Sequence, residues 1–127
     1  MRIDDAGAGR DDARRVVVVG PCASGKTTLV EGLKRLGYDA AVRGQEHSEI
    51  PTLWRRGEPD VVIALSVDLA TIRDRRGADW PEALYRVQQR RLANAVAAAE
   101  IVLDASRLDA DAILTRAAAA LSRPSGR

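Results

Sequence analysis

The sequence predicts an α/β fold built on a parallel sheet of about four strands. Three observations carry this. Val16 to Val19 form an apolar run that ends at Gly20, and an amphipathic stretch follows, which is the pattern of strand, loop and helix. Val61 to Val67 is apolar except at Ser66, as a strand covered on both faces must be. Further along, short apolar runs keep alternating with amphipathic stretches, and such alternation implies right-handed crossovers between parallel strands.

Residues 1–13 are polar, carry Gly7, Gly9 and mixed charges, and show neither helical nor strand period. They read as a disordered leader. The domain spans 14–121, and 122–127 reads as a flexible tail. After the first loop, Leu29, Val30, Leu33 and Leu36 make one apolar stripe, and Gly37 is placed to close the helix. Residues 37–44 make a short strand. The stretch 45–50 leads into a short helix beginning at Pro51 and carrying Leu53 and Trp54. Gly57 to Asp60 is a turn. After the strand at 61–67, Asp68 caps a short helix through Leu69, Ile72 and Arg73, which Gly77 breaks. Asp79-Trp80-Pro81-Glu82 has the form of a helix start with Asp79 as cap. That helix runs to about Ala99, with Leu84, Leu92, Ala95, Val96 and Ala99 facing inward. Ile101 to Asp104 is the last strand. Asp109 then caps a helix with Ile113, Leu114, Ala117, Ala118 and Leu121 inside, and Leu108 is placed to staple onto Ile113.

At 127 residues the chain has room for one domain and none for a separate substrate domain. Hydrophobic residues make up 46% but aromatics only 3%, so Val, Leu, Ile and Ala must build the core. Net charge is +2, and the basic residues are nearly all arginine, with Lys26 and Lys34 the only lysines. Arginine suits bidentate phosphate recognition. Nucleic-acid binding ranks low, because aromatic interleaving is absent and the charge is small. One cysteine, Cys22, allows no internal disulfide. With no signal-peptide pattern and no run long enough to span a membrane, the expected location is the cytoplasm. A sheet this short offers edges for pairing two chains, so a homodimer is also an expectation.

The loop Gly20-Pro21-Cys22-Ala23-Ser24-Gly25-Lys26-Thr27 fits G-x-x-x-x-G-K-[ST] at every fixed position, with Thr28 completing the turn into the helix. The glycines permit backbone conformations that a Cβ obstructs. Loop amides can then turn toward phosphate oxygens, and the helix N-terminus adds positive potential. Lys26 is placed for the β- and γ-phosphates and Thr27 for Mg²⁺. Cys22 fills a variable position; alternatively it is a thiol activated near a helix N-terminus. Ligands of parallel sheets bind beyond the strand carboxyl ends. Glu46 and His47 therefore fall on the ligand side, Glu46 as a candidate general base or outer-sphere Mg²⁺ ligand and His47 as an acceptor contact. Asp68 is a candidate water-mediated Mg²⁺ ligand, although capping alone also explains it. Arg73, Arg75 and Arg76 are candidates to close over the γ-phosphate, with Arg76, beside Gly77, the chosen one. Arg90 and Arg91 are either phosphate contacts or surface charge. Trp54 and Trp80 read as structural covers, with Trp54 also a candidate acceptor-pocket wall.

On the Walker A loop, and on the C-terminal half from Val61 to Leu108, the chain resembles the P-loop kinase group that includes the adenylate, shikimate and gluconate kinases. It resembles a minimal version of that group. The resemblance implies a three-layer α/β/α P-loop NTPase fold, ATP or GTP with Mg²⁺, and a very short arginine lid at Arg73, Arg75 and Arg76. It also implies that Asp104 to Arg107 lie against the base. The chain departs from the group between the first helix and the next strands, where only about Tyr38 to Arg56 is available for an acceptor. No Walker B carboxylate stands out. The expected function is transfer of a γ-phosphoryl group to a small-molecule or nucleotide acceptor held near Gln45 to Trp54. The alternative is a nucleotide-binding switch or partner-binding module without transfer.

Overall fold

A computed structural model of the chain describes residues 14–122. The expected leader, 1–13, and the tail beyond Ser122 lie outside the described residues. Four strands form one sheet in the order β2-β1-β3-β4: β1 (Arg15–Val19), β2 (Asp39–Val42), β3 (Val61–Ser66) and β4 (Ile101–Asp104). Every neighbouring pair is parallel. Four helices connect or follow them: α1 (Lys26–Arg35), α2 (Leu69–Arg76), α3 (Glu82–Ala98) and α4 (Ala110–Leu121). The fold is therefore α/β, as the alternation of runs predicts.

Strand alternation sends successive valines of β1 to opposite faces. Val16 and Val18 join Leu29, Leu33, Ile63, Ile113 and Ala117, so α1 and α4 cover one face. Val17 and Val19 join Trp54, Val62, Ala64, Leu92 and Ala95, so α3 covers the other. Burial on both faces explains why β1 and β3 are continuous apolar runs. Because the strands are parallel, the chain leaves each of them at the same edge of the sheet. The loops after Val19, Val42, Ser66 and Asp104 therefore gather on one side.

Several local signals act as expected. Gly37 adopts φ +98°, and the amides of Gly37 and Tyr38 donate to Lys34 O (2.9 Å) and Leu33 O (3.0 Å). This is the paired closure that a left-handed residue after a helix permits. The carboxylates of Asp68 and Asp109 accept from the amides of Thr71 and Ala112, each at 2.8 Å.

Other signals are overruled. The helix expected from Pro51 is a turn followed by a single 3₁₀ turn, Leu53–Arg55. Another 3₁₀ turn covers Gln45–His47. Asp79 does not cap α3: the residue before its first turn is Pro81, which supplies no side-chain acceptor. Leu84 and Val96 are exposed rather than inward. The inner stripe of α3 is instead Gln88, Leu92 and Ala95, with Ala99 packed against the same cluster. A buried glutamine belongs to this stripe, and an apolar count leaves it out. Among the described residues no helix is long and apolar enough to cross a membrane.

Leu33→Ala, at a position with 0% exposure, should cost about 3 kcal/mol by urea unfolding. Leu84→Ala should stay within about 0.5 kcal/mol. Equal losses would mean that the face assignment of α3 is wrong.

Candidate functional site

The loop between β1 and α1 is shaped by backbone contacts. Gly20 sits so close to its surroundings that a Cβ there would meet Ser24 Oγ at 2.7 Å and Leu65 O at 3.0 Å. Gly25, at φ +90°, precedes α1 and offers no side chain to its first amides. Ala23 also has positive φ, 64°. The α1 N-terminus therefore opens toward the loop without a side-chain cap, an arrangement that attracts anions. Ser24 Oγ is buried and has no hydrogen-bond partner among the described residues.

Lys26 turns back under this loop. Its Nζ donates to Gly20 O and Pro21 O, both at 2.9 Å, and pairs with Glu46 Oε2 at 2.9 Å. The two side chains are 11% and 5% exposed, so this is a largely desolvated ion pair. Glu46 Oε1 is buried with no hydrogen-bond partner among the described residues. His47 lies outside the pair, largely exposed, with Nε2 3.5 Å from Glu46 Oε2.

The segment carrying Glu46 is held by its neighbours. Gln45 is fully buried; its Nε2 donates to Ile50 O (2.7 Å) and its Oε1 accepts from Trp54 N (2.9 Å). From α3, Arg91 donates to Glu49 Oε2 at 2.6 and 2.9 Å and to Glu46 O at 3.3 Å. This guanidinium holds the Glu49 carboxyl below its ordinary range. Arg91 thus braces the turn, while Arg90 is exposed. Gln88, the buried glutamine of α3, accepts from Cys22 N at 3.0 Å and donates to Cys22 Sγ at 3.2 Å. Gln88 belongs to no motif; its place one turn before Leu92 on the inner stripe is the signal the sequence offers.

Arg75 and Arg76 line a cleft of about 410 Å³ together with Ala23 to Thr28. Arg75 makes the direct contacts, donating to Ala23 O (2.6 Å) and Ala105 O (2.9 Å). It also borders a second cavity, of about 180 Å³, against Thr28, Leu29, Ala105, Leu108 and Ile113. Arg73 is occupied elsewhere, donating to Trp80 O (3.0 Å) across the α2–α3 break.

Asp68 lies at the carboxyl end of β3, but its contacts run to α2 and to the turn after β4. Its backbone amide donates to Ser106 Oγ (2.8 Å). Hydrogen bonds from the Thr71 side chain and amide hold its carboxyl below the ordinary value. Nearby, burial and the Asp68 charge push the Tyr85 phenol up. The structure therefore brings together Gly20 to Thr28, Glu46, His47, Arg75 and Arg76, and leaves Arg73 and Asp68 at the margin. Trp54 is the structural cover expected of it: it is 8% exposed, and its Nε1 donates to Asn94 Oδ1 at 2.7 Å.

Removing either member of the Lys26–Glu46 pair leaves the other charge buried. Lys26→Met and Glu46→Leu should each destabilise by about 3 kcal/mol or more in urea. The double variant should lose clearly less than the sum of the two. Simple additivity would deny the coupling.

No protein-family model matches the chain, and no curated protein matches it either.

Proposed function

We propose that the protein binds a nucleoside triphosphate, ATP or GTP, on the loop from Gly20 to Thr28. In this reading it is a minimal P-loop kinase-like protein with a three-layer α/β/α arrangement, and it passes the γ-phosphoryl group to a small-molecule or nucleotide acceptor. One observation carries the proposal: Lys26 of a complete G-x-x-x-x-G-K-T loop lies 2.9 Å from a buried carboxylate, Glu46. A lysine set to meet phosphates thus has an acid–base group directly beside it.

The loop fits a phosphate group. Gly20 lets the loop pack against Ser24 and Leu65, and α1 begins after Gly25 with no side chain on its first amides, which leaves them for an anion. Thr27, exposed in the first turn of α1, would hold Mg²⁺. Asp68, occupied in capping α2, would act on the ion only through water. When bound, Mg²⁺ offsets charge on the phosphate oxygens. Lys26 would leave its loop carbonyls for the phosphates. Glu46 would then be relieved of its partner and could accept a proton from an acceptor hydroxyl at Oε1. Arg75, already against Ala23 O, and Arg76 across the same cleft would neutralise the phosphoryl group during transfer. The cavity bordered by Ala105, Leu108 and Ile113, with Arg75 and Asp109 also in its lining, would receive the base.

A second reading, a nucleotide-dependent switch without transfer, is favoured by one observation. Gln45 and Trp54, expected near the acceptor, are both used internally, which leaves Glu46 and His47 to receive it.

Calorimetry of MgATP and MgGTP against the folded protein should give binding that Lys26→Ala weakens by about 10- to 100-fold. Absence of binding by the folded wild type would overturn the proposal. With an acceptor found, Glu46→Gln should lower kcat by about 10²- to 10⁴-fold while nucleotide binding persists. Binding without turnover on any acceptor would leave the switch reading.

A further inference from the structure

Beside Lys26, three side chains of different chemistry converge: Cys22 from the loop, and Glu46 and His47 from the 3₁₀ turn after β2. One ligand atom from each, Sγ, a carboxylate oxygen and an imidazole nitrogen, lie within 4.8 Å of one another. We propose that these residues bind a transition-metal dication of the Zn²⁺ class, separate from any Mg²⁺ at Thr27.

The donor set selects the ion. Thiolate and imidazole are ligands for Zn²⁺ and its neighbours, whereas Mg²⁺ takes oxygen ligands. Four-coordinate zinc with bonds of about 2.0–2.3 Å places its ligand atoms roughly 3.3–3.8 Å apart. His47 Nε2 and Glu46 Oε2 already stand at 3.5 Å. Closing the remaining distance needs about an ångström of movement, and the exposed His47 side chain is free to rotate.

Two further observations point to a ligand. Glu46 is 4% exposed, and its Oε1 is buried with no hydrogen-bond partner among the described residues. A buried carboxylate oxygen in that condition costs free energy that a metal held by both oxygens of Glu46 would recover. Cys22 is meanwhile positioned by Gln88, 1% exposed, which donates to its sulfur and accepts from its amide. Such outer contacts orient ligands. Thiolate and carboxylate together match the charge of the dication, and Lys26, giving up Oε2 to the ion, keeps Gly20 O and Pro21 O. Three protein ligands leave a coordination position open, as in sites that bind water or substrate. The proposal does not depend on nucleotide binding.

The test is titration of the full-length, tag-free protein with Co²⁺ and Zn²⁺ in the absence of nucleotide. One equivalent of Co²⁺ should produce a thiolate-to-metal charge-transfer band, which Zn²⁺ removes and excess Mg²⁺ does not. Cys22→Ser should abolish the band. His47→Ala should weaken binding by more than the roughly 10- to 100-fold that loss of an outer contact costs. Cys22 is the only cysteine in the chain, so alkylation gives an independent reading in the wild type even where a variant fails to fold. Bound Zn²⁺ should slow reaction of Cys22 with iodoacetamide. No band, a band that survives Cys22→Ser, an affinity unchanged in His47→Ala, or no protection of Cys22 would each overturn the proposal.

Discussion

The ammonium of Lys26 is the group on which the site depends. Three acceptors from two separate segments meet it: two loop carbonyls, and a carboxylate delivered from beyond β2. The pair it makes with Glu46 is removed from water, and a buried pair is held in place by the cost of breaking it more than by the gain of making it. This constraint ties the first loop, α1 and the 45–47 turn into one unit. Any anion that draws Lys26 away must also release Glu46. A displacement of Lys26 is thereby felt directly at a carboxylate from another segment.

That link needs rigid supports on both sides. On one side, Gly20 lets the loop pass close to Leu65 of β3, so the position of Lys26 is referred to the centre of the sheet. On the other, Gln45 closes its own turn from inside, and Arg91 clamps it from α3. Gln88 on the same helix fixes Cys22. Helix α3 is therefore more than a cover for Val17 and Val19. Its polar residues Gln88 and Arg91, three positions apart, hold the two halves of the site in register.

The arginines divide by task in a way that depends on which carbonyl each can reach. Arg73 fastens the short α2–α3 break to Trp80 O. Arg75 bridges the loop after β1 and the turn after β4 through two carbonyls, so it stands between the two cavities. Arg76 borders only the outer one. A guanidinium held by two neutral carbonyls keeps its full charge, and it can exchange those acceptors for anionic ones at little cost in ordering.

The sequence by itself determined the parallel α/β class, since runs such as Val16–Val19 and Val61–Leu65 are stable only with both faces covered. It also located the loop with Lys26, the caps at Asp68 and Asp109, and the closure at Gly37, because each of these depends on residues a few positions apart. Where local form and tertiary packing conflicted, packing prevailed: Asp79 resembles a cap but α3 begins after Pro81, and Leu84 is apolar yet exposed. Tertiary structure alone decided the pairing of Lys26 with Glu46, the seating of Gln88 against Cys22, the burial of Trp54 and the choice of Arg75 over Arg76 at the loop. These contacts join residues between 9 and 66 positions apart. Their geometry is set by strand order and by which turn of a helix meets the sheet, and neither quantity is written in the local period of the chain.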